Sequence, residues 1–166
     1  MNNVNFIQIY FTEERIESLI FIIIGSIAFT LALIFLSIIK YSFFKGLAYP
    51  LLFIGIIQIV VGFNVYNRSS TDISRVEHMI NTNKNQLQVN EIPRIKAVLT
   101  NFMIFKWIEI ILIITSIFLI TRFYKSPQTF WKGLGLGLLI QAGIMLCLDI
   151  IAEQRAEMYL QFLLKA

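Results

Sequence analysis

Two stretches of this chain, Ser18–Ile39 and Gly46–Asn67, each run for 22 residues without a charged side chain. Crossing about 30 Å of hydrocarbon at about 1.5 Å per residue takes roughly 20 helical residues. Uncharged runs of this length therefore read as membrane-spanning helices. The rest of the chain agrees: 57% of its 166 residues are hydrophobic and 14% are charged, against roughly a quarter charged in a soluble domain. The sequence predicts an all-α integral membrane protein.

Four apolar segments emerge: Ile16–Ile39, Gly46–Tyr66, Ile95–Thr121, and a run from Gly133 onward. The links at 40–45 and 122–132 are short, which predicts two antiparallel hairpins within a single four-helix membrane domain. Hairpin one covers 16–67, a polar connector 68–94, hairpin two 95–152, and a C-terminal helical extension 153–166. Within the connector, "SSTDISRVEHMI" predicts a short amphipathic helix capped by Ser70 or Thr71, and "NTNKNQ" a loop. Pro93 suits the first turn of helix three. Helices three and four extend past the bilayer and, with the half-apolar tail "NFIQIYFTEER", predict a small helical head on the side of both termini.

Aromatic-Lys-Gly-Leu occurs twice, as "FFKGL" and "FWKGL". A shift of 87 residues aligns 42–68 with 129–155 without a gap. Phe43/Phe130, Lys45/Lys132, Gly46/Gly133, Leu47/Leu134, Leu51/Leu138, Leu52/Leu139, Ile57/Ile144 and Arg68/Arg155 are then identical. Upstream, Ile16-Glu17 resembles Ile108-Glu109 across a five-residue gap. Two origins fit: a duplicated two-helix unit, whose copies share one orientation, or the taste of any interfacial helix start for aromatics, lysine and glycine.

The short links carry Lys40, Lys45, Arg122, Lys125 and Lys132 and no acidic residue. That bias argues for the cytoplasmic side, although the other nine Lys/Arg, over a longer stretch, argue the reverse. Glu13, Glu14 and Arg15 precede the first span in place of a basic n-region, so no cleavable signal is expected. The ensemble of features looks like many small bacterial membrane proteins as a class, the richness in Ile, Asn and Lys is typical of AT-rich genomes, and the expected location is the bacterial cytoplasmic (inner) membrane. A net charge of +4 is read as interfacial anchoring in the lipid bilayer, with no nucleic-acid partner.

Hairpin two lacks the length of hairpin one. The uncharged run after Glu109 is Ile110–Thr121, 12 residues or roughly 18 Å of helix. Gly133–Leu148 gives 16 residues, roughly 24 Å. Neither fills the hydrocarbon, so Glu109 and Asp149 are expected below the surface on the side away from the short links. Lys106, three residues before Glu109, shares its helix face and is placed to pair with it. Intramembrane charges are costly and point to function or to a structural ion pair. Gly133, Gly137, Gln141, Met145, Asp149, Glu153 and Glu157 recur every fourth residue on helix four. Gln141 near mid-membrane needs a hydrogen-bond partner, and Gln58 lies at comparable depth. Gly25, Ala28, Ala32, Gly55 and Gly62 supply further close-packing faces, for packing within the bundle or for a homo-oligomer through glycine faces. Arg68, Glu153, Arg155 and Glu157 are expected on the head surface.

Catalytic signatures are missing. His78 beside Glu77 has no Glu-x-x-His context for a metal, no glycine-rich phosphate loop occurs, and Ser, His and Asp are too scattered for a triad. The lone Cys147 sits in an apolar run. No catalytic residue, cofactor or metal is assigned. The reading is a non-catalytic polytopic membrane protein that binds a protein partner through its head and a polar intramembrane crevice, as an accessory subunit or an immunity-type protein. The alternative is a small oligomeric ion, proton or solute transporter using Glu109, Lys106 and Asp149.

Overall fold

The computed structural model describes residues 3–82 and 87–165 and contains no strand among them. Four long α-helices dominate: α1 Asn3–Ser37, α2 Ser42–Thr82, α3 Ile92–Phe123 and α4 Thr129–Lys165. A single π turn, Leu87–Glu91, leads into α3. All four helices are long and apolar enough to cross a membrane. At about 1.5 Å per residue they measure roughly 50–60 Å, nearly twice the hydrocarbon thickness.

Two boundaries differ from expectation, both by extension of a helix. The first begins at Asn3, well before Ile16, because Ile7, Tyr10 and Phe11 form a buried stripe that packs on the far ends of the other helices. The second continues to Thr82, so the 70–80 stretch is the end of α2 and Ser70 and Thr71 lie in its interior. Nothing between Gly62 and Thr82 breaks a helix, and Arg68, Asp72 and Arg75 are linked at i+4 and i+3 along one face. The expected loop at 81–86 falls largely outside the described residues; Asn81 and Thr82 are helical. Helix α3 starts at Ile92 with Pro93 in its first turn.

The helices lie in the order α1, α2, α4, α3. Helix α2 packs along α1 on one side and along α4 on the other, and α3 packs along α4. Contacts between α1 and α2 run in opposite senses: Gly62 meets Ser18, Gly55 meets Gly25, and Phe44 meets Phe35. Those between α3 and α4 do the same, with Glu153 on Lys106, Gly135 on Ser116 and Trp131 on Phe123. Among the described residues no Cα of α3 comes within 8 Å of α1 or α2. The outer helices are therefore edges of an open layer.

Helices α2 and α4 cross at the repeated motif. A Cβ on Gly46 would lie 2.0 Å from the Phe130 carbonyl oxygen, and one on Gly133 would lie 1.9 Å from that of Phe43. Gly46 faces the Leu134 amide and Gly133 the Leu47 amide. Each of these contacts maps onto the other under the 87-residue shift, so the crossing has local pseudo-two-fold symmetry. Pro50 then fits against Gly137, its own counterpart. Only glycine permits this approach of two backbones.

At the opposite end the four helices converge. Ile7, Tyr10, Phe11, Val76, Ile95, Ala156, Tyr159 and Leu163 form one buried cluster drawn from all of them. Tyr10 stacks on Tyr159 with ring centroids 4.0 Å apart. Leu163, and partly Leu160 and Phe162, pack inward here, whereas Leu164 is 61% exposed.

Candidate functional site

The middle of the helices holds the polar side chains that the sequence singles out. Glu109 on α3 is 2% exposed and Asp149 on α4 is 8% exposed. Their carboxyl groups interact across the α3–α4 contact, and Glu17 and Glu153 lie close enough to act on Asp149. The Asp149 carboxyl is the hydrogen-bonding neighbour of Glu109, and no N–H, alcohol hydroxyl or cation donates to either Glu109 oxygen. Gln58 is fully buried against the Gly25 turn of α1, and neither atom of its carboxamide is paired. Gln141 is also buried, with its Oε1 unpaired. No hydrogen bond joins the two glutamines. Buried polar atoms are paired in the great majority of cases, so these three side chains mark the place where the fold leaves polar capacity open.

Lys106 does not pair with Glu109. Its ammonium reaches across to Glu153 on α4, because α4 lies against the face of α3 that carries both Lys106 and Glu109. A helical neighbour at i+3 offers one partner, and the packed helix offers a nearer one. Glu109 therefore has an acid beside it and no cation on it.

Arg155, expected at the head surface, is 8% exposed. It lies over the Tyr10 ring, 5.6 Å from its centre, and its Nη2 donates to Glu17 Oε2 at 2.6 Å. Its counterpart Arg68 is exposed yet engaged, 3.2 Å from Glu14 and 3.1 Å from Asp72. Both arginines of the repeat thus reach a glutamate on α1. Glu153 is taken up by Lys106, and of the expected head-surface residues only Glu157 is exposed without an ion pair. The charges of the head mostly bind one another.

A network of charges that sequence reasoning missed as a unit ties the head together. Glu91, in the π turn, is fully buried. Arg94 donates to its Oε1 at 2.6 Å, Arg75 to its Oε2 at 3.1 Å, and the Tyr159 hydroxyl to its Oε1 at 3.2 Å. Asp72 joins Arg68 to Arg75, and Ser69 donates to Glu14. The charges Glu14, Asp72 and Glu91 balance Arg68, Arg75 and Arg94. Charge-assisted bonds of this kind are the strong ones, and here they fasten the ends of α1, α2, α3 and α4. The i+3 and i+4 spacing of Arg68, Asp72 and Arg75 was a legible signal; the role of Glu91 required the fold.

The glycine faces are used within the chain. Gly25, Gly46, Gly55, Gly62, Gly133, Gly135 and Gly137 all lie against another helix, and only Gly143 faces open space. Cys147 is exposed on α4. Among the described residues no group of three His, Cys, Asp or Glu is arranged to hold a metal ion. No family model, curated protein or solved structure matches the chain.

Proposed function

We propose that the chain is an integral protein of the bacterial cytoplasmic membrane. It crosses four times as two antiparallel hairpins related by an internal duplication, with both termini and the head on one side. It works without catalysis, by binding a protein partner, as an accessory subunit or an immunity-type protein does. The observation that carries this reading is a pair of buried acids in the seam between an edge helix and its one neighbour: Glu109 on α3 and Asp149 on α4 interact with each other, and among the described residues neither is paired with a cation. A partner helix seated over the α3–α4 seam would supply the cation or donor that this pair of acids lacks, since intramembrane charge is costly, about 3 kcal/mol, unless it is matched. The self-satisfied charges of the head favour this intramembrane face over the head as the recognition surface. Affinity purification of the native chain and of Glu109→Gln and Glu157→Gln variants from native membranes tests it. The account expects one protein to co-purify with the native chain and Glu157→Gln and to be lost with Glu109→Gln. Recovery of that protein at the same yield with Glu109→Gln removes the site, and recovery of none removes the reading.

A second reading rests on a different observation. Glu109 and Asp149 face each other, with Gln58 and Gln141 buried on the neighbouring stretch of α2 and α4. Buried polar groups of this kind suit passage of an ion, a proton or a small solute. Four helices leave little room for a pore, so this reading requires oligomers, for which Gly143 is the one glycine not already packed on another helix. Flux of protons or monovalent cations into liposomes, abolished by Glu109→Gln, would support it over partner binding.

A further inference from the structure

We infer that the end of the molecule formed by the two short links is a binding surface for the headgroups of anionic phospholipids, with Lys45 and Lys132 as its centre. This rests on the membrane-spanning reading and is independent of what the chain binds elsewhere. Lys40, Lys45, Arg122, Lys125 and Lys132 gather at this end, and no Asp or Glu occurs between Glu17 and Asp72 or between Glu109 and Asp149. Measured along the helices, the nearest acid is roughly 20 Å away. None of the five forms an ion pair among the described residues.

Three of these cations have a reason to be there. Lys40, Arg122 and Lys125 lie at the ends of α1 and α3, where the helix dipole favours a positive charge. Lys45 and Lys132 do not: each sits in the first turn of its helix, α2 and α4, where the same dipole opposes it. The backbone contact of Gly46 with Phe130 and of Gly133 with Phe43 holds the two lysines on either side of one crossing, in pseudo-symmetric positions. Lys45, exposed, and Lys132, partly exposed, thus flank one backbone crossing, and neither has an internal counter-charge among the described residues. An external anion completes them.

The surroundings identify a lipid as the source of that anion. Tyr49 meets Phe130 and Phe123 stacks on Trp131 around the crossing, an aromatic belt of the kind found at headgroup level. Directly below, Phe53 on α2 and Ile140 on α4 are exposed apolar side chains able to lie along acyl chains. A free phosphate in water would use none of these groups.

The test uses the full chain, delipidated in mild detergent, with thermal stability read as lipid is added back. Phosphatidylglycerol should raise the Tm well above the effect of equal phosphatidylcholine, and salt should screen the difference. Lys45→Gln/Lys132→Gln should lower the anionic preference roughly thirtyfold, the effect of two lysines at a charged surface. Lys40→Gln/Lys125→Gln should keep most of it. Equal shifts with both lipids, full preference in the Lys45/Lys132 double variant, or a matching shift with inorganic phosphate alone each overturn the proposal. Should the double variant fail to fold, lipid analysis of the native chain decides: enrichment of anionic lipid over the bulk membrane supports the surface, and bulk composition refutes it. Alkaline carbonate extraction separates the two levels. Release of the native chain from membranes defeats the spanning reading, whereas retention without anionic preference defeats this inference alone.

Discussion

Replacing Gly46 with alanine probes the contact on which the layer is built. The new Cβ would stand 2.0 Å from the Phe130 carbonyl oxygen, and ordinary contact begins about 1.4 Å farther out. The obstacle is backbone on both sides, so no rotamer change relieves it; α2 and α4 must part. Overpacking of this kind costs about 1–3 kcal/mol, and a gap of that size forfeits much of the dispersion energy along the crossing. Alanine returns up to about 1 kcal/mol of helix propensity, leaving a net loss of about 2 kcal/mol. Gly143→Ala is the matched control, because nothing lies within 4 Å of its Cβ; it should be neutral or stabilising. Unfolding in mixed micelles, followed by helicity and by the fluorescence of Trp107 and Trp131, measures the difference. Gly133→Ala should behave like Gly46→Ala, and the two together should cost less than their sum, since one separation of the helices accommodates both. If Gly46→Ala unfolds within about 0.5 kcal/mol of Gly143→Ala, a difference ordinary for surface changes, the close crossing is wrong.

Other expectations follow from the head. Tyr159→Phe removes a donor from the buried carboxylate of Glu91 and should lower stability by about 1–3 kcal/mol, measured in the same assay. Truncation to alanine adds the loss of stacking on Tyr10 and should cost about 3–5 kcal/mol. Arg155→Ala strands Glu17 and should cost about 3–5 kcal/mol, while the double variant with Glu17→Gln recovers part of it. A double-mutant cycle giving no coupling would place Arg155 outside the α1–α4 contact. Lys106→Met should be offset by Glu153→Gln and not by Glu109→Gln, since the lysine rests on Glu153.

The parts of the fold that were legible are those governed by hydropathy over a helix length. Four apolar helices and the short links at 40–45 and 122–132 follow from charge-free runs alone. The repeat at Phe43 and Phe130 was visible as a pattern, but that its two glycines would face each other required the packing. The polar ends of α1 and α2 were less legible, because polarity alone does not end a helix. Residues 68–82 remain helical through their own i+3 and i+4 pairs, and 3–15 through Ile7, Tyr10 and Phe11, whose spacing of three and four was present in the sequence. Glu109 and Asp149 stand out in the sequence by a deficit of apolar length, but that they meet across α3 and α4 required the packing. The partner of Lys106 was not legible, because a side chain chooses between its own helix and the packed neighbour, and only the second is set by tertiary structure. Glu91 carried no local sign: a glutamate two residues before a proline in a polar connector resembles any surface residue until Arg75, Arg94 and Tyr159 close over it.

The central claim is that the apolar faces of these helices lie in lipid, with the acid-bearing stretch drawn in behind them. Cys147 is a native probe of it, exposed on the surface of α4 two residues from Asp149. A charged, membrane-impermeant maleimide should leave Cys147 unmodified in open membrane sheets and label it fully after denaturation in SDS. A cysteine introduced at the exposed Glu157, on a Cys147→Ser background, should react before denaturation. Labelling of Cys147 in the sheets as fast as position 157 would mean that water, and not lipid, covers that face.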